Sequence, residues 1–259
     1  MKAVNCCDIQ DSTMELFSSC AQSELQYINI SGCNNLTNET LFNILIYNPS
    51  LTVLNINRIY NMNPRDLFPI ASSFKLCKLS ISEMVEIDEV FTNPAQCIFL
   101  THLDISSCWS IKDETFSSIA RHCQNLKKLN VSHCIFINES FFYLGAVSNQ
   151  LEYLNVSSCV QLDSLPLEFV IENNTNMNYL NISSCAKLNN KILLCVAKYL
   201  KNLKRLLLSK CNGMTTTGIS EVLMNCRSLK SLIGRNCQFG EYVSKSLKYL
   251  AFSRTQLQS

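Results

Sequence analysis

Leu100-Thr-His-Leu-Asp-Ile-Ser-Ser-Cys108 is the stretch on which the fold turns. Leu103 and Ile105 alternate with His102, Asp104 and Ser106, the period of two that marks a short strand with one buried side. A cysteine closes the stretch. Behind it Phe116, Ile119, Ala120 and Cys123 fall on one face of a helix, with Asp113 placed ahead of them as a candidate N-cap. Residues 100–125 therefore read as one strand followed by one helix.

The same pattern, L-x-x-L-x-[IVL]-S-x-C, runs through the chain. Its first apolar position is Leu25, Leu51, Leu76, Leu100, Leu126, Leu151, Met177, Leu203 and Leu229, at separations of 24 to 26 residues, which makes nine units. One unit cannot bury both its strand face and its helix stripe, but stacked units share a continuous core. The predicted fold is α/β: a right-handed solenoid (horseshoe) with a parallel concave sheet and helices on the convex side. Neighbouring strands should lie about 4.8 Å apart.

A single domain over 1–259 is expected, with nine repeats in 25–246. Residues 1–24 form an incomplete first repeat, in which Val4 and Cys7 align with Ile30 and Cys33. Residues 247–259 form a closing unit, in which Leu247, Leu250, Phe252 and Ser253 repeat the strand pattern.

Cysteine occupies the position after the strand in Cys33, Cys108, Cys134, Cys159, Cys185, Cys211 and Cys237, with Ile59 and Met84 in its place in the second and third repeats. A second set, Cys97, Cys123 and Cys226, precedes the next repeat's first apolar residue by three positions. Recurrence at the repeat period stacks like on like, so the fifteen cysteines read as a ladder of reduced thiols filling tight turns and bonding loop backbone. A metal site built from His122, Cys123, His133 and Cys134 is the alternative, but no C-x-x-C pair supports it and none is assigned. Reduced thiols and an N-terminus without an apolar signal core place the chain in the cytoplasm or the nucleus.

This cysteine pattern resembles that of the cysteine-containing leucine-rich repeats found in F-box and leucine-rich-repeat proteins and in the antagonist of mitotic exit network family. The resemblance covers nearly the whole chain. It implies a non-catalytic protein-binding module, one that recognises substrate in an SCF-type (cullin) ubiquitin ligase. The alternative is a stand-alone inhibitory or scaffolding protein unconnected with ubiquitin. Leu165 to Val170 looks like the opening of an F-box, but it occupies the helix slot of the sixth repeat and leaves no room for that module.

Other function classes find little support. Twenty-two basic residues nearly balance twenty acidic ones, so the whole chain offers no field for nucleic acid or anionic lipid, and no apolar run approaches membrane-spanning length. Six glycines and no phosphate-binding loop argue against nucleotides, and neither a cofactor nor a small-molecule substrate is expected. His102, His122 and His133 are the only histidines. His102 and Asp104 fit an exposed polar strand face as they stand, and no catalytic residues are assigned.

The expected ligand is a protein, either a ligase substrate or an adaptor. Its anchors are expected among the outward residues His102, Asp104, Lys128, Tyr153, Tyr179 and Arg205. They are also expected along a rim of apolar residues after the ladder cysteines: Trp109, Ile135, Phe136 and Val160.

Overall fold

The computed structural model describes residues 1–20, 25–63, 75–84, 87, 98–237 and 256–258. It comprises two compact units, Met1–Leu126 and Lys127–Ser259. Leu247, Leu250, Phe252 and Ser253 lie outside the described residues, as does Cys97.

In the first unit β1 (Tyr27–Asn29), β2 (Val53–Asn55), β3 (Lys78–Ser80) and β4 (His102–Asp104) lie side by side in chain order. All are parallel, with Tyr27, Val53, Lys78 and His102 in one register row. The described helices are α1 (Asp11–Cys20), α2 (Asn38–Tyr47) and α3 (Asp113–His122).

The second unit carries β5 (Lys128–Asn130), β6 (Tyr153–Asn155), β7 (Tyr179–Asn181), β8 (Arg205–Leu207) and β9 (Ser231–Ile233), again parallel and in chain order. A further strand, β10 (Gln256–Gln258), pairs with β9. Between the strands run α4 (Ser140–Val147), α5 (Ser164–Asn173), α6 (Asn190–Tyr199) and α7 (Thr216–Asn225). Among the described residues no helix is long and apolar enough to cross a membrane.

In each of β1 to β9 the middle side chain is buried in the core; in β6, Leu154 is buried between half-buried Tyr153 and Asn155. The next inward position, Val156, is already past the strand and is fully buried too. One repeat shows how the core is filled. Leu126, Leu129, Val131, Cys134, Ile137, Phe141 and Leu144 are all inaccessible, spanning strand, turn and helix. Each such apolar side chain stabilises the fold by about 1.5–3 kcal/mol relative to exposure. In α3, Phe116, Ile119 and Ala120 form the buried stripe that the spacing predicts.

After each of β1 to β9 the chain turns through one residue of positive φ. Arg58, Glu83, Ser107, His133, Ser158, Ser184, Lys210 and Asn236 hold φ between 55° and 62°, and Gly32 sits at 74°. Each stands immediately before the ladder position, so the left-handed residue and the buried slot make one device repeated along the chain.

Two details differ from the sequence expectation. Lys112, not Asp113, is the N-cap of α3: Lys112 holds extended backbone and gives no side-chain cap bond, while Asp113 joins the first turn. A carboxylate there still suits the positive end of the helix.

At the N-terminus the frame is Ala3 and Cys6, one residue earlier than Val4 and Cys7. Lys2 bridges Asn29, Ala3 N donates to Asn29 O at 2.8 Å, and Asn5 takes the positive-φ position with φ 54°. Asparagine tolerates that conformation better than most residues. The earlier frame also keeps the ladder bond, since Cys33 Sγ reaches Ala3 O at 3.5 Å.

Candidate functional site

The open face of the second unit's sheet is built from side chains that alternate with the buried leucines. Its first column, Lys128, Tyr153, Tyr179, Arg205 and Ser231, is in register from β5 to β9. Tyr153 and Tyr179 stand half-buried on that face, and their rings stack with centroids 4.1 Å apart and 12° between planes. The guanidinium carbon of Arg205 lies 5.9 Å from the centre of the Tyr179 ring. The result is a preordered aromatic and cationic row, the side-chain types in which binding energy tends to concentrate.

The second column is less free than the alternation suggests. Oδ1 of Asn130, Asn155 and Asn181 accepts the backbone N–H two residues on, from Ser132 at 3.2 Å and from Ser157 and Ser183 at 3.1 Å. These asparagines fold back to bend the chain out of the strand, which gives the recurring N-[IV]-S triplet a local cause. On β8 and β9 the column changes to Leu207 and Ile233.

In the first unit the corresponding row is Tyr27, Val53, Lys78 and His102. His102 Nδ1 lies 2.9 Å from Thr101 Oγ1. Asp104 Oδ1 accepts from Ser106 N at 3.0 Å and from Ser106 Oγ at 2.7 Å, the same fold-back as the asparagines. His122 Nδ1 is 3.2 Å from Ser118 Oγ on α3. His133, in the second unit, is an exposed positive-φ residue before Cys134. Among the described residues no group of three or more His, Cys, Asp or Glu side chains is arranged to hold a metal ion.

The loops after the ladder carry the rim residues. Trp109, in the first unit, is 68% exposed. In the second unit Phe136 is 55% and Val160 40% exposed, while Ile135 is half-buried. Trp109 therefore does not fill a gap beneath its loop.

The ladder thiols are donors with fixed partners. Cys159 Sγ bonds Val131 O, Cys185 bonds Val156 O and Cys211 bonds Ile182 O, each at 3.1 Å. Cys108 bonds Ile81 O at 3.3 Å and Cys237 bonds Leu208 O at 2.9 Å. In each case the acceptor belongs to the preceding repeat, three residues before that repeat's own ladder residue. Burial pushes the thiols up, Cys108 and Cys185 to about 12 and Cys211 to about 11. Cys159 is likewise held well above its ordinary value, chiefly by burial. The thirteen cysteines whose side chains are described, which exclude Cys20 and Cys97, are free.

Two further sets of polar side chains tie repeats together and were not singled out from sequence. Asn174, fully buried at the C-cap of α5, donates Nδ2 to Ser148 O and Val170 O and accepts Leu151 N, each at 2.9 Å. At the other helix end, Asn38 Oδ1 accepts Asn63 N at 2.7 Å, Asn138 Oδ1 accepts Asp163 N at 2.9 Å, and Asn190 Oδ1 accepts Thr215 N at 2.8 Å. Asp11 does the same for Thr37 N at 2.9 Å, and its other oxygen accepts from Thr37 Oγ1 at 2.7 Å. The recurrence of Asn or Asp at the head of α1, α2, α4 and α6 was the available signal.

A family model described as Leucine Rich repeat matches residues 96–120 and 122–136. No curated protein matches the chain. Among solved structures, the Rad7–Elc1 complex of yeast is similar at a TM-score of 0.57 and 16% identity, over 99% of this chain and 80% of that one. An internalin of Listeria monocytogenes gives 0.55 and 13%, over 88% and 70%. A Leptospira interrogans leucine-rich-repeat protein gives 0.53 and 15%, over 96% and 62%. With strands, turns and helices recurring as described, the chain is in fold a leucine-rich-repeat solenoid.

Proposed function

We propose that this chain is a protein-recognition module that holds a partner for a cullin-type ubiquitin ligase. The observation that carries recognition is the row of Tyr153, Tyr179 and Arg205, stacked in register on an open sheet face. Side chains already ordered in the free protein lose little entropy when a partner lands on them. The fold itself is a protein-binding one. The ligase setting is supported by the cysteine pattern shared with F-box and leucine-rich-repeat proteins. A protein partner accords with the similar structure of Rad7, which is a complex with a second protein, Elc1.

Affinity purification of the full chain tests both parts. Recovery of cullin and adaptor subunits, lost in a Tyr153→Ala, Arg205→Ala variant or retained while one further protein is lost, supports the ligase reading. A single stoichiometric partner without those subunits replaces it with an inhibitor or scaffold. A double variant that keeps every partner removes the open face as the site.

A further inference from the structure

The near-neutral total charge hides a segregation along the chain. Residues 187–235 contain ten Lys or Arg and one acidic residue, Glu221, a net +9, whereas residues 1–186 contain nine basic and eighteen acidic residues, a net −9. All ten of those basic side chains are exposed. Four of them lie on or next to β8 and β9. Lys204 and Lys230 stand just before β8 and β9, joined by a backbone bond from Lys230 N to Lys204 O at 2.8 Å, at the entrance to the two strands. Arg205 follows on β8. Arg235 leaves β9 two residues past Ile233, its N–H bonded to Ser209 Oγ at 3.0 Å. Among the described residues none of the four is in an ion pair.

Between these cations lie Leu207 and Ile233, register partners that are half-buried on the open face. The column they occupy is asparagine on β5, β6 and β7. Cations around an apolar pair complement a ligand that carries both carboxylates and an apolar side chain.

We propose that the open face of β8 and β9 docks an acidic segment of a partner polypeptide. Its carboxylates would meet Lys204, Arg205, Lys230 and Arg235, and an apolar side chain would rest on Leu207 and Ile233. The proposal rests on the protein-recognition reading above and names the chemistry of the partner. A nucleic acid fits the face less well. Single strands bind by stacking bases on open aromatic rings, whereas Tyr153 and Tyr179 cover each other and Arg205 closes on Tyr179 from the next strand. A phosphate track would also have no use for Leu207 and Ile233.

The test is fluorescence anisotropy on the full chain with a labelled peptide of alternating Glu and Ser around a central Leu, and with its Gln-for-Glu counterpart. The Glu peptide should bind at least about tenfold more tightly than the Gln peptide. Its affinity should fall as ionic strength rises from about 0.01 M to about 0.15 M, where the Debye length shrinks to about 8 Å. Lys204→Glu with Lys230→Glu should weaken it by about tenfold or more, while Lys191→Glu with Lys210→Glu, the same charge change elsewhere on the unit, should leave it within about twofold. Thermal melts check folding, and Lys204→Gln with Lys230→Gln replaces the reversal if it unfolds the chain.

Equal binding of the two peptides, or equal loss in both variants, overturns the proposal. So does a labelled oligothymidine that binds more tightly than the Glu peptide and is lost with Lys204 and Lys230. A protein partner lost on Tyr153→Ala but kept by the Lys204, Lys230 variant overturns it too, and leaves protein recognition standing.

Discussion

Cys159 sits in a slot walled by backbone, inaccessible to solvent and donating to the carbonyl of Val131. Space and one donor are what the slot asks for. Cys159→Ser keeps a short donor, whereas Cys159→Leu forces extra atoms into a filled turn, at a cost of about 1–3 kcal/mol. Urea melts should rank Leu well below Ser, and equal losses would mean that the turn is not tight. The raised thiols make a second expectation: at pH 8 an alkylating reagent should label exposed Cys7 while Cys108, Cys159, Cys185 and Cys211 stay silent until the chain is unfolded. Trp109 is the opposite kind of residue. At 68% exposure its removal should cost little stability, so Trp109→Ala is expected to weaken partner binding by about 1 kcal/mol or more with the melting temperature nearly unchanged. A large thermal loss with unchanged affinity would remove it from the interface.

At the scale of the element, helix ends carry the bonds that fix one repeat against the next. Asn174→Ala would strand Ser148 O, Val170 O and Leu151 N in the core, and a loss of about 3 kcal/mol or more is expected from denaturant titration. Asp11 adds a pH dependence. Burial alone would raise its carboxyl, but the bonds from Thr37 and Thr40 outweigh burial and hold it below the ordinary value. A depressed carboxylate stabilises the fold above its unfolded pKa and loses that contribution as pH falls through the folded one. The deficit of Asp11→Ala relative to wild type should therefore be full near pH 7, about 1–3 kcal/mol, and shrink below about pH 4.

Strands and helix stripes were legible because alternation and helical spacing recur nine times, and Leu154 or Phe116 can point only one way. The polar ties were not, because Asn155 and Asn174 look alike in sequence, yet one folds back on its own loop and the other bridges repeats. At the N-terminus two adjacent cysteines and an apolar Val4 favoured the later frame, while the deciding feature, the backbone of Asn5, has no signature in composition.

For the molecule as a whole, total charge misled where its distribution did not. A sum of +2 concealed a basic stretch, 187–235, whose ten Lys and Arg side chains all reach solvent. The aromatic row was readable in advance, since Tyr153 and Tyr179 share a strand position, but their stacking and the apolar pair on β8 and β9 needed the register. The open face makes a prediction for binding: Tyr153→Ala with Tyr179→Ala should cost about 2 kcal/mol or more in partner affinity by calorimetry, with each unit's strands intact by circular dichroism. Retained affinity would place the contact elsewhere.

The ladder bonds also have a direction. The thiols of Cys108, Cys159, Cys185, Cys211 and Cys237 donate backward, to carbonyls made 27 to 29 residues earlier, and the amides that open β6 to β9 likewise donate to the preceding repeat. In synthesis order, N-terminus first, each of these thiols thus meets an acceptor already made, whereas the amides just past the strands, such as those of Val156 and Ser158, wait for carbonyls of the next repeat. Synthesis order and stacking order coincide, and the growing edge is always the youngest strand.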